Sequence, residues 1–210
     1  VATIPRSFID LNSDCEELDP LLIEDVITYK DTLKVSAGLG VIPRVVADQT
    51  QIYKHRLSID DATDRLQNFY FPYHEKLKTL IEQTQDAFKK VILLDCHSMP
   101  MSSVNLARKK NPIEVVLGDC FGRSCEHEIV MGLKYFLTES GFRVSLNKPF
   151  SGGFITRNYA SPSDDIHAVQ IEILRSLYSD EKEQTKNSEF LSIQNRLLGA
   201  IEKFIKRFAD

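Results

Sequence analysis

The sequence predicts an α/β fold, a layered sandwich in which helices flank a mixed β-sheet. Two observations carry this reading. Short β-branched runs alternate with stretches of helical period along all 210 residues. The run Val91-Ile92-Leu93-Leu94 is apolar enough for a strand covered on both faces. The length suits one domain with a substantial core, and residues 1–210 are expected to form it.

The elements follow in order. Residues 3–11 read as a strand with Pro5 near its start. Residues 14–34 are acidic and loop-like. Residues 38–46 read as a turn entering a strand, with Pro43 marking an edge or a bulge. Ser58 followed by Asp60 and Asp61 starts a helix, with acids where the helix dipole favours them. That helix runs to about Phe88, with a kink or break at Pro72. Residues 90–96 form the clearest buried strand, and 113–118 another. Ser124 is placed to cap a helix ending at Gly141. Residues 142–147 alternate as a strand does. Residues 168–174 fit a strand, although a helix is compatible. Ser188 is placed to cap a last amphipathic helix with Phe190, Leu197, Ile201, Phe204 and Phe208 near helical spacing.

Composition excludes several classes. Apolar (42%) and charged (27%) shares are those of a globular protein, which excludes a disordered or fibrous chain. Net charge is −4 and the pI about 5.8. The densest cationic stretches are Arg108-Lys109-Lys110, read as a solvated loop, and Lys203 to Arg207, read as a polar helix face. No nucleic-acid partner is expected. No apolar run approaches the roughly 20 residues that span a bilayer, so no membrane is expected either. Cys15, Cys96, Cys120 and Cys125 form no close pair of metal-knuckle type, which fits reduced thiols in a cytoplasmic protein. The chain opens on Val1, so its natural start is expected upstream.

Four segments bear groups able to do chemistry. In Leu94-Asp95-Cys96-His97-Ser98-Met99-Pro100 an apolar strand ends in an imidazole, a good zinc ligand when held rigidly; a hydrogen bond into the turn serves equally well. Asp95 is a candidate partner behind it. The stretch Asn147 to Arg157 holds Gly152-Gly153, which lets backbone approach a ligand, and Arg157, able to grip a carboxylate. Taken alone, it reads as a flexible turn with a surface arginine. In residues 167–175 a strand would put Gln170 and Glu172 on one face, where a desolvated carboxylate could act as general base. Taken alone, a salt bridge from Glu172 to Arg175 or another cation is the plainer reading. Arg44, after Gly38-Leu39-Gly40, could polarise a carbonyl, while those glycines read as a tight turn. The chain has no GxSxG elbow and no HExxH. Cys96 and His97 are adjacent on a strand, so they face opposite ways and make a poor nucleophile–base pair.

Together these segments resemble the N-formylglutamate amidohydrolase family. The matching residues are Pro5 to Asn12, Gly38 to Arg44, Pro72-Tyr73-His74, Asp95 to Pro100, Asn147 to Arg157, and Gln170 to Ile173, over roughly residues 3–180. The resemblance implies a fold like that of zinc carboxypeptidases and one catalytic zinc. It implies His97 as a zinc ligand and Glu172 as general base. It implies Asn147, Gly152, Gly153 and Arg157 in substrate binding, with Arg44 stabilising the oxyanion or gripping substrate. Family members carry an earlier Pro-His-Ser-Gly-like motif and a following acid, so the two other zinc ligands are expected upstream of residue 1. Ser13 stands where many relatives have arginine. The activity implied is hydrolysis of N-formyl-L-glutamate or a related small N-acyl amino acid. The competing readings are a zinc-free carboxylate-binding protein derived from the family and a related metallopeptidase.

Overall fold

The computed structural model describes residues 3–46, 49–104 and 112–208; the basic Arg108-Lys109-Lys110 stretch lies outside them. The chain divides into two compact units, residues 1–87 and 88–210.

The first unit is built from loops and helices. Residues 3–11 do not form the expected strand. The Pro5 carbonyl accepts from the Phe8 and Ile9 amides at 2.9 and 3.3 Å, so the chain curls into a turn. Residues 38–46 also fall short of a strand. The Gly38 carbonyl accepts from the Arg44 and Val45 amides, and a single bridge joins Val45 to Gln51. Val41 and Ile42 are buried, but Val41 bonds to the Glu17 carbonyl instead of to a neighbouring strand. A short helix α1 (Leu33–Ser36) precedes this curl.

Ser58 caps α2 (Ile59–Arg65) as expected, its hydroxyl accepting from the Asp61 amide at 3.1 Å. The helix then widens to a π-helical stretch over Leu66–Tyr70 before α3 (Phe71–Phe88). The Phe71 amide reaches back to the Leu66 carbonyl, five residues away. Pro72 explains the irregularity: it has no N–H to give to the preceding turn, and the widened turn absorbs the misfit without ending the helix.

Polar side chains hold this unit together. The buried Asp10 carboxylate takes a two-pronged contact from Arg6, the Asn12 amide and the Ser13 hydroxyl. Lys34 lies 3.7 Å from both Asp10 and Glu17. Burial works to raise the Asp10 pKa, but the charges of Arg6 and Lys34 and the hydrogen bonds from Arg6 and Ser13 prevail and hold it below the ordinary value.

The second unit is the α/β sandwich that the sequence predicts. Its mixed sheet holds β1 (Val91–Met99), β2 (Val115–Gly118), β3 (Val144–Leu146) and β4 (Ile166–Leu174) in the order β1-β4-β2-β3. The β1/β4 and β2/β3 pairs are parallel, and β4/β2 is antiparallel. Helices α4 (His127–Glu139) and α6 (Phe190–Phe208) cover one face through a core of Val115, Leu117, Val169, Ile171, Leu133 and Phe204 among others. A small hairpin of β5 (Ser179–Asp180) and β6 (Thr185–Lys186) lies before α6.

Three expectations change here. The most buried strand is β4, with β1 next to it as the outermost strand described; with a neighbour on one side only, most of β1 is part-exposed. Ser124 does not cap α4; its hydroxyl donates to the Ala168 carbonyl at 2.8 Å, tying its loop to β4, and Glu126 takes the cap position. At the start of α6 the side-chain acceptor is Asn187, which receives the Glu189 amide. The stop at Gly141 holds: its φ of +85° lets its amide and that of Phe142 return to the Thr138 and Leu137 carbonyls.

Candidate active site

The strand period puts every second β4 residue on the sheet face away from α4 and α6. Register adds the neighbours. Glu172 stands between His97 on β1 and Val116 on β2; Gln170 stands between Asp95 and Gly118. Four of these groups therefore share one patch of sheet: Asp95 and His97 from β1, Gln170 and Glu172 from β4.

Two contacts order the patch. His97 Nε2 lies 2.8 Å from Asp95 Oδ1, two residues earlier on the same strand. Gln170 Nε2 donates to Glu172 Oε1 at 2.8 Å, and both residues are buried. Arg175 donates to the Ser98 hydroxyl and carbonyl. His97 sits inside β1, two residues before its end, where both flanking peptides belong to the ladder.

The glycine loop lies over the same face. A Cβ on Gly118 would come within 2.6 Å of the Gly152 nitrogen and the Ser151 carbonyl carbon, so the loop crosses β2 where that strand has no side chain. The Cys120 amide donates to the Ser151 carbonyl at 2.7 Å and fixes the crossing. Gly152 has a φ of +126°, and a Cβ there would stand 2.8 Å from Cys120 Sγ. Only glycine fits this turn. Gly153 then leads into α5 (Phe154–Tyr159), which packs against β4 and β1.

Asn147 shapes the neighbouring loop. Its carbonyl oxygen accepts from the Asp119 and Phe121 amides at 3.1 and 3.3 Å, and its amide donates to Asp119 Oδ1 at 2.6 Å. These bonds hold Cys120 and Phe121 in the left-handed region, at φ of 54° and 57°. Arg157 is exposed and folds back to the Gly152 carbonyl at 3.2 Å. Arg44 lies in the other unit, where its Nε donates to the buried Asp19 at 2.8 Å. The sequence reading missed Gly118 and Asp119. Their signal was a Gly-Asp pair closing the apolar run Val115-Val116-Leu117, since glycine in a strand often marks close backbone approach.

The donor set fits part of a metal site. A neutral imidazole that gives its Nε2 proton to a carboxylate keeps its lone pair on Nδ1, and such carboxylate–histidine pairs commonly orient metal ligands. Among the described residues, no three His, Cys, Asp or Glu side chains converge to hold an ion. His97, backed by Asp95, accordingly fits one ligand of a metal centre. No helix among the described residues is long and apolar enough to cross a membrane.

Known proteins resemble the chain on these elements. The family model for N-formylglutamate amidohydrolase matches residues 1–179. An N-formylglutamate deformylase of Pseudomonas putida is 31% identical over 154 residues, or 72% of this chain and 57% of that protein. Its counterpart from Pseudomonas aeruginosa PAO1 is 28% identical over 150 residues, 70% of this chain and 56% of that one. The chain thus spans somewhat over half the length of these curated relatives. The crystal structure of N-formylglutamate amidohydrolase from Ralstonia eutropha JMP134 superposes with a TM-score of 0.89 at 31% identity, over 98% of this chain and 76% of that one. The gene product Atu2144 of Agrobacterium tumefaciens shares the fold, with a TM-score of 0.58 at 17% identity, over 93% of this chain and 66% of that one.

Proposed function

The chain belongs to the N-formylglutamate amidohydrolase family, a metallohydrolase family, and from that premise we propose that it takes part in zinc-dependent hydrolysis of N-formyl-L-glutamate or a related N-acyl amino acid. The products are formate, or another acid, and the free amino acid. The observation that carries this reading is the pairing of Asp95–His97 with Gln170–Glu172 on one sheet face beneath the glycine loop.

His97 would be one zinc ligand, oriented by Asp95. The remaining ligands would come from outside the described residues. Bound zinc would supply Lewis acidity, polarising the acyl carbonyl and making water more acidic. Glu172 takes a proton from the attacking water at a carboxylate oxygen and passes it to the departing nitrogen. The water oxygen joins the acyl carbon and the C–N bond breaks. Gly152 and Gly153 bring backbone close to the substrate, and Arg157 swings from the Gly152 carbonyl to the substrate carboxylate. Asn147 supports the pocket by holding the 119–121 loop. The family resemblance alone would assign Arg44, whose guanidinium is held by Asp19, to the oxyanion or to the substrate carboxylate.

The test is formate release from N-formyl-L-glutamate by the zinc-loaded full-length protein, with metal content measured alongside. One zinc per chain, lost in His97→Ala, together with loss of turnover in Glu172→Gln by about 100-fold or more, is the expected result. A protein that binds no zinc and releases no formate overturns the hydrolase reading.

A further inference from the structure

We propose that Gln170 is a positioning residue for Glu172, holding one carboxylate oxygen so that the other faces the reacting water. The inference rests on the reading of Glu172 as general base. A glutamate side chain turns about three torsions, and a base left free would spend little time aimed at its proton. Gln170 removes that freedom from a rigid place. It sits on the central strand, paired with Asp95 on one side and Gly118 on the other. Its residue is 6% exposed, and its Nε2 lies 2.8 Å from Glu172 Oε1.

The other end of the amide sharpens the point. Gln170 Oε1 is buried and has no hydrogen-bond partner among the described residues. A glutamine placed to serve the fold would have both ends bonded, or would be replaced by leucine or methionine of similar size. The NH2 end gives its hydrogen bond to Glu172, so Oε1 is turned away, to a place with no donor among the described residues. The side chain thus bears a polar burial cost in return for one bond, and that bond ends on Glu172.

A positioning role and a structural role part company on substitution. Gln170→Leu and Gln170→Met keep the volume and remove both the useful bond and the orphaned oxygen. In the zinc-loaded full-length protein, kcat should fall about 10- to 100-fold, the range typical of residues that orient an active-site group. KM should stay within about twofold, and the melting temperature should equal or exceed that of the parent. In a Glu172→Gln background, Gln170→Leu should change the residual rate less than about twofold, because the group it orients is gone. A kcat within about twofold of the parent in both single variants overturns the proposal, and so does a loss of rate that follows a lowered melting temperature. Full activity in Glu172→Gln would bring down the general-base reading and this inference together. An inactive Glu172→Gln beside a fully active Gln170→Leu would bring down this inference alone.

Discussion

Replacing Gly118 by alanine tests the crossing that assembles the candidate site. The new methyl carbon would lie 2.6 Å from the Gly152 nitrogen, 2.6 Å from the Ser151 carbonyl carbon and 2.9 Å from its oxygen. Comfortable contact between carbon atoms lies near 3.5 Å, so the loop must retreat by about 0.9 Å. All three neighbours are backbone, and no rotamer change relieves the clash. The retreat is opposed by the Cys120–Ser151 hydrogen bond and by the tight seat of Gly152 against Cys120 Sγ. Overpacking of this kind costs about 1–3 kcal/mol. For a chain of this length, about 2–4 °C of melting temperature is lost per kcal/mol, giving a fall of about 2–12 °C. A displacement near 1 Å of a substrate-positioning loop can cost about 100-fold in rate. Thermal unfolding and kcat/KM for formate release on the same preparation read both effects. Unchanged stability would refute the crossing itself. Lowered stability with full kcat/KM would show that the loop crosses β2 but takes no part in the reaction.

Two further outcomes concern stability. His167 is fully buried, neither ring nitrogen has a hydrogen-bond partner among the described residues, and Asp165 Oδ1 lies 3.7 Å from its Nε2; His167→Leu should leave the unfolding free energy unchanged or raise it by about 1 kcal/mol, and a loss above about 2 kcal/mol in denaturant titration would contradict the orphaned imidazole. Asp10→Asn should cost about 1.5–3 kcal/mol at pH 7, because the charged acceptor of Arg6, Ser13 and the Asn12 amide is lost. The Asp10 pKa is held below 3.8 in the folded state, so its stabilisation is complete above that value and disappears as pH falls through the folded pKa. The gap between parent and variant should therefore narrow from pH 7 toward pH 3 in urea unfolding, and a gap that is flat or widens would contradict the pairing.

Much of the sheet was legible because period-2 and long apolar runs report local geometry directly. The β4 alternation already placed Gln170 with Glu172, whereas Asp95 stood only as a candidate partner of His97 until the structure set the two 2.8 Å apart. Which strand lay in the centre was not legible, because hydropathy does not rank neighbours: Val91 to Leu94 is the more apolar run, yet β4 is the more buried. The first unit misled for a different reason. Phe8, Ile9, Val41 and Ile42 are strand-forming residue types, but the carbonyls of Pro5, Glu17 and Gly38 capture nearby amides and curl the chain. The part played by Asn147 depends on a left-handed backbone and on partners 26 and 28 residues away, which no local pattern announces.

The widened turn at Leu66–Tyr70 has a consequence for the numbering of the chain itself. An α-helix advances about 100° per residue, so a turn with one residue to spare rephases everything after it by that angle. At the end of the widening Tyr70 gives its hydroxyl to the Ser13 carbonyl at 2.8 Å, and beyond it His74 meets the Leu11 carbonyl at 3.0 Å. Before it, Arg65 stacks on Phe8 and bonds to the Phe8 carbonyl. The two halves of the helix thus clasp the segment from Phe8 to Ser13 from different azimuths, and the spare residue sets the angle between the two grips. Deleting Asn68 would leave a more regular helix and a worse protein, since one grip or the other would swing away. In this stretch the count of residues carries as much information as their identity.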